Sequence, residues 1–279
     1  MALLNCHIYS HALYSNISLN ICLPTPTSGD KVNYHTLKQD YGYERGLPVA
    51  YLLHGMYGDA NSWLRFSNVD RYAQDRRIAV VTCSAGNNFY QNLPGGLAYE
   101  TFFTEELPAY MRALFPISNR REDTFIGGFS MGGYGAWHLA LKAPEVYSKA
   151  ASMSGALDIV KLYQDAKKNP SPSPFNWQAM FGDPDALEGS GSGSDLFAQY
   201  QECRNKGCVP KLYQACGTED FLYQMNQSAK ARFLNMGADL TYNEGPGGHE
   251  WNFWDREIQN VLDWFLQGQE KANSSVIMG

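Results

Sequence analysis

Apolar and polar positions along this chain follow two periods that take turns. Residues 3–23 alternate one by one, with Cys6 and Ile8 in a first run and Ile17, Leu19, Ile21 and Leu23 in a second, separated by Ser15-Asn16. A period of two predicts half-buried strands, and the short break predicts an antiparallel hairpin. Residues 24–47 are rich in Pro, Thr, Gly, Asp and Tyr and predict a surface excursion. The pattern then changes. Residues 47–53 are a continuous apolar run, as a strand covered on both faces requires. Segments at 78–83, 124–128, 149–154, 211–216 and 240–244 predict further strands in alternation with helices, and helical spacing predicts helices at about 63–75, 99–115, 136–142, 221–236 and 251–266. Strands alternating with helices predict an α/β fold, a mostly parallel central sheet with helices on both faces and the antiparallel strands at its start. No internal repeat interrupts this order, and the polar tail from Gln267 is expected to fray.

One stretch breaks the rhythm. Residues 156–200 hold Asn169-Pro170-Ser171-Pro172-Ser173-Pro174 and the tract Gly189-Ser190-Gly191-Ser192-Gly193-Ser194, together with Leu157, Tyr163, Phe175, Trp177, Met180 and Phe181. Proline and aromatic residues together predict a packed insertion after the sixth strand of a single domain spanning 1–279. The Gly-Ser tract alone predicts a mobile loop.

Bulk composition narrows the function. The 279 residues are 44% hydrophobic and 18% charged, enough for a sizeable core. A net charge of −6 and a pI of about 5.5 give no basic patch for nucleic acid or an anionic membrane surface. No apolar run reaches the about 18 residues of a membrane span. The N-terminus lacks the basic start and apolar core of a signal peptide. Cys6, Cys22, Cys83, Cys203, Cys208 and Cys216 are scattered except for the pair Cys203 and Cys208, which has no histidine nearby; they are read as reduced thiols of a cytoplasmic protein, with a single disulfide or a zinc site as alternatives. With no phosphate loop, zinc motif or dinucleotide fingerprint, no cofactor is implied.

The chemistry starts at Gly128-Phe129-Ser130-Met131-Gly132, between a predicted strand and a predicted helix. That is the G-x-S-x-G nucleophile elbow in its strand–turn–helix context, in which a strained turn exposes the serine hydroxyl at the start of a helix. The alternative is a Gly-rich turn whose serine caps the helix. A serine hydroxyl attacks only if a base takes its proton, and the base needs an orienting acid. In α/β-hydrolases these follow the serine in the order acid, then histidine. Two histidines follow Ser130. His138 lies inside the elbow helix and points along it, whereas His249, in Gly247-Gly248-His249-Glu250-Trp251, stands between the last strand and the last helix and is the candidate base. Asp220 directly follows the strand at 211–216 and is the preferred acid. It also stands where a helix cap would, and Asp158 competes with it. Backbone N–H groups of Met131 and Met56 are the candidate oxyanion donors, and His54 reads as a structural histidine at a strand end. Trp251, Phe253, Trp254, Trp264 and Phe265 recur at helical spacing and read as core. Trp63, Phe89 and Tyr90 follow strand ends and are candidates to line a substrate pocket.

With these motifs placed, the chain resembles the esterase D family of serine hydrolases, most of all its bacterial tributyrin esterase and feruloyl-esterase-like members. The matching pieces are Leu52-Leu53-His54-Gly55-Met56-Tyr57-Gly58-Asp59 with Trp63, Gly127 to Ala136, Cys216-Gly217-Thr218-Glu219-Asp220-Phe221-Leu222, and Gly247-Gly248-His249-Glu250-Trp251 with Trp254. The resemblance implies an α/β-hydrolase fold, a triad at Ser130, Asp220 and His249, and an oxyanion hole at the amides of Met56 and Met131. It implies a carboxylesterase that cleaves small-molecule, short-acyl esters through an acyl-enzyme. Relatives include S-formylglutathione hydrolases, acetyl xylan and feruloyl esterases and mycolyltransferases. The stretch 156–200 is where such relatives carry a cap-like insertion. A homo-oligomer is compatible with the family, and no interface is legible in the sequence.

Overall fold

The computed structural model describes residues 1–169, 176–189 and 193–268. The alternating start folds into β1 (Ala2–Ser10) and β2 (Ser15–Leu23), an antiparallel hairpin with Ala2 opposite Leu23 and Ser10 opposite Ser15. The apolar runs become β3 (Val49–Leu53), β4 (Ala79–Cys83), β5 (Thr124–Phe129), β6 (Lys149–Met153), β7 (Lys211–Gly217) and β8 (Leu240–Gly245). The sheet runs β1-β2-β4-β3-β5-β6-β7-β8, with β2 antiparallel to β4 and every later pairing parallel. β3, β4, β5 and β6 are buried along their whole length, and none of them shows a polar residue at every second position.

Helices cover both faces. On one lies the elbow helix, Met131–Lys142, with Tyr134, Trp137 and Leu139 in the larger core. On the other the helices Val69–Arg76 and Trp251–Phe265 bury Val69, Ala73, Phe253, Trp254, Ile258 and Phe265 against β3–β7. Of the aromatic run expected in the core, Phe253, Trp254, Trp264 and Phe265 are buried and Trp251 is half-buried.

Two predicted helices are broken. The segment at 63–75 forms Ser62–Phe66 and Val69–Arg76, because Ser67 is extended (φ −138°, ψ 173°) and its hydroxyl turns back to donate to the Trp63 carbonyl. The segment at 99–115 passes from Tyr99–Thr101 through π turns at Phe102–Glu106 into Leu107–Leu114. Pro108 has no N–H to continue the four-residue ladder, and the wider turns precede it. The helix expected at 221–236 runs Tyr223–Asn235.

Within 156–200 the described residues are helical at Ile159–Lys168, Trp177–Phe181 and Leu196–Asn205. Tyr163 stacks on Trp177 (ring centroids 5.6 Å apart), and Trp177 and Phe181 pack on Phe89 at 5.7 and 5.3 Å, so the aromatics do pack. Residues 170–175 with the proline run, 190–192 within the Gly-Ser tract, and the tail from 269 lie outside the described residues. Among the described residues no helix is long and apolar enough to cross a membrane.

Candidate active site

In a parallel sheet all strands deliver their following loops to one edge. Here β3 delivers His54-Gly55-Met56, β5 Ser130, β6 Ser154, β7 Asp220 and β8 His249.

Ser130 sits between β5 and the elbow helix with φ 56° and ψ −120°, a conformation that costs a non-glycine residue about 1–3 kcal/mol. Its N–H donates to the Met153 carbonyl (2.9 Å), and its carbonyl accepts from Gly133 and Tyr134 (3.0 and 3.1 Å), so both peptide neighbours are tied down. The flanking glycines are needed for contact. A Cβ on Gly132 would lie 2.6 Å from the carbonyl oxygens of Leu53 and His54, and one on Gly128 would collide with Gly132 itself. Ser130 caps the helix by position but makes no side-chain cap hydrogen bond. Its hydroxyl is not used as a cap, contrary to the alternative reading of the motif.

The loops carrying Asp220 and His249 are laced together beyond the sheet. Thr218 N–H donates to Gly245 O (2.9 Å), Glu219 N–H to Gly247 O (3.1 Å), and Gly247 N–H to the Glu219 carboxylate. The lacing brings His249 Nδ1 to 2.9 Å from Asp220 Oδ2 and 3.1 Å from Oδ1. The Asp220 side chain is fully buried while that of His249 is 18% exposed, so the carboxylate is sealed and the imidazole reaches solvent. Burial pushes the Asp220 carboxyl up. Hydrogen bonds from His249, the Leu222 N–H (2.8 Å) and Ser154 outweigh it, and the group lies below its ordinary value, ionised. The His249 ring is packed between Phe221 (4.5 Å, tilted) and Trp254 (5.0 Å, edge-on).

Ser154 joins these groups to β5. It is buried at the end of β6 with φ 51°, directly after Met153, whose carbonyl holds Ser130 N–H. Its hydroxyl accepts from Trp254 Nε1 (3.1 Å) and helps hold the Asp220 carboxyl below its ordinary value. Trp254 in turn stacks on Phe129, the residue before Ser130, at 4.3 Å. Sequence reasoning passed over Ser154, Trp254 as a site residue, and Glu219 as a loop clasp. Ser154 carried one usable signal, a polar residue ending an apolar strand.

Met131 opens the elbow helix, where an amide has no acceptor within the helix. Met56 is the second residue of a turn closed by Gly58 N–H donating to Gly55 O (3.1 Å), so its amide takes no part in that bond. Gly55 lies against Ser130: a Cβ there would stand 3.2 Å from Ser130 Cβ and 2.5 Å from the Phe129 ring.

The other candidates fall elsewhere. Asp158 caps the helix Ile159–Lys168, its Oδ1 accepting from Lys161 N–H (3.0 Å). His138 is buried beneath the insertion, 3.1 Å from Glu100 Oε2 and against Gln199. Trp63, Phe89 and Tyr90 were expected to line a pocket, but all three are at most 1% exposed. Trp63 donates to the Leu53 carbonyl (3.1 Å) and Tyr90 to the His54 carbonyl (2.8 Å). Position after a strand end does not set which way a side chain points, and these three support the site from behind. All six cysteines are free, and the described residues hold no cluster of metal-ligating side chains.

Comparison with known proteins agrees with this architecture. The Esterase family model matches residues 10–265. An acetyl esterase of Caldicellulosiruptor saccharolyticus is 34% identical over 268 residues, 95% of this chain and 98% of that one. A substrate-bound fluorophosphonate-binding serine hydrolase F of Staphylococcus aureus superposes with a TM-score of 0.81 at 25% identity, over 95% of this chain and 98% of the other. S-formylglutathione hydrolase (FrmB) from the same organism gives 0.79 at 26% identity, over 95% and 98%. The fold is that of the α/β-hydrolases.

Proposed function

The chain belongs to the Esterase family and is a carboxylic ester hydrolase, and we propose that it cleaves short-chain acyl esters through an acyl-enzyme on Ser130. The observation that carries this reading is the buried, ionised Asp220 within 2.9 Å of His249 Nδ1, at the same sheet edge as a serine in a strained elbow. A carboxylate on Nδ1 holds the ring in the tautomer that leaves Nε2 free to accept a proton. Ser130 Oγ attacks the acyl carbon while His249 Nε2 takes its proton. The carbonyl oxygen becomes an oxyanion facing the amides of Met131 and Met56. Collapse expels the alcohol, which leaves with the proton from His249. Water then repeats the sequence on the acyl-enzyme and restores Ser130.

The acetyl esterase relative favours a short acyl group. Within the family we place the chain beside the esterase D-like tributyrin and feruloyl esterases, with residues 156–200 as its cap-like insertion. Six free thiols fit a reducing, cytoplasmic setting. The likeness to S-formylglutathione hydrolase supports a second reading, a thioesterase on the same residues. Hydrolysis of p-nitrophenyl acetate and butyrate, compared with a glutathione thioester, separates the two. In either case Ser130→Ala is expected to abolish turnover and fluorophosphonate labelling, and turnover that survives it refutes the proposal.

A further inference from the structure

We infer that His54 is a positioning residue that sets the oxyanion hole, by clamping through its Nδ1–H the one peptide group whose other end is the Met56 N–H. The inference rests on the reading just proposed and adds a residue to it. His54 ends β3 and is 1% exposed. Its Nε2 lies 2.9 Å from the Ala85 N–H and its Nδ1 2.7 Å from the Gly55 carbonyl oxygen. A backbone N–H can only donate and a carbonyl oxygen can only accept. A neutral ring meets both partners in one tautomer, with hydrogen on Nδ1 and a bare Nε2. Burial holds the imidazole below its ordinary pKa and so keeps it neutral, as the Ala85 bond requires.

The consequence lies in the peptide between Gly55 and Met56. Its carbonyl oxygen accepts twice, from His54 Nδ1 and from Gly58 N–H at 3.1 Å. In a trans peptide the C=O and N–H point in opposite directions, so fixing the oxygen aims the Met56 N–H the other way. The adjoining peptide is tied as well: Tyr57, at φ 65°, donates its N–H to Asn87 Oδ1 (2.7 Å). With Gly55 packed against Ser130 Cβ and the Phe129 ring, the turn is fixed at three points around the nucleophile. If the Gly55–Met56 peptide were to rotate, a carbonyl dipole would replace a donor where negative charge develops.

Two variants separate the two ring bonds. His54→Asn keeps a side-chain N–H near the Nδ1 position, whereas His54→Gln keeps an acceptor for Ala85 and offers Gly55 nothing. Each is assayed on p-nitrophenyl acetate well below its own Tm. The expected result is a kcat loss of about a hundredfold in His54→Gln, with KM little changed, and at most about a threefold loss in His54→Asn. A purely structural histidine would give losses that follow Tm and not the Asn/Gln split. The tautomer is read directly, without any variant, from two-bond proton–nitrogen correlations of the wild-type ring, which are expected to show hydrogen on Nδ1. Equal kcat losses in the two variants, or a ring protonated on Nε2, overturn the inference. Failure of the esterase reading would look different: wild-type turnover no greater than that of Ser130→Ala, whatever the His54 tautomer.

Discussion

The loops that follow β6 and β7 begin alike and end differently. Both leave the same edge of the sheet, and both place an aspartate near the start of a helix, Asp158 in one and Asp220 in the other. Asp158 gives an oxygen to the Lys161 N–H and acts as a helix cap. Asp220 gives an oxygen to the Leu222 N–H in much the same way, yet its carboxylate also holds His249. The difference comes from the neighbours. Beside β7 runs β8, whose loop is laced to the Asp220 loop by Thr218, Glu219 and Gly247, so that a histidine arrives opposite the acid. Ser154 and burial then seal the carboxylate. A strand-end carboxylate thus comes to hold a histidine when the adjoining strand's loop delivers one; otherwise it remains a cap.

The largest effect that could break this contrast is kinetic. Asp220→Asn keeps the shape of the site but loses the charge that holds the His249 tautomer, and kcat for ester hydrolysis is expected to fall about ten-thousandfold. Asp158→Asn, assayed beside it, leaves kcat unchanged. A middle-sized effect belongs to the group that makes the two loops unequal. Ser154→Ala removes a hydroxyl that helps hold the Asp220 carboxyl down and leaves Trp254 Nε1 without its acceptor. Urea unfolding is expected to show a loss of about 1–3 kcal/mol, and kcat to drop about tenfold with KM little altered. The smallest effect sharpens the other side. Asp158→Ala removes a cap worth about 1 kcal/mol, visible as a lower Tm with unchanged kinetics.

The parts of the molecule legible in the sequence are those where geometry leaves few residue types acceptable. Gly128 and Gly132 have no room for a Cβ, so the elbow announces itself by spacing. β3 to β6 are covered on both faces and lack the polar–apolar alternation of a half-exposed strand. Chain order and strand-end position singled out His249 and Asp220, whose side chains lie 2.9 Å apart. What remained hidden depends on direction and on long-range partners. Trp63, Phe89 and Tyr90 stand after strand ends, but the packing of two layers turns them inward. The break at Ser67 comes from one hydroxyl bonding back to Trp63, and the π turns at Phe102–Glu106 leave the apolar periodicity nearly intact. Ser154 is a single polar residue among many. Its role appears only when Trp254, a hundred positions away, is seen to share it.

The most direct test of the account is to quench turnover of p-nitrophenyl acetate in acid and map the acetyl group by peptide mass spectrometry. The account predicts an acetyl adduct on the peptide containing Ser130 in wild type, formed far more slowly in Asp220→Asn and at the wild-type rate in Asp158→Asn. An adduct on any other residue, or one that forms equally fast in Asp220→Asn, would contradict it.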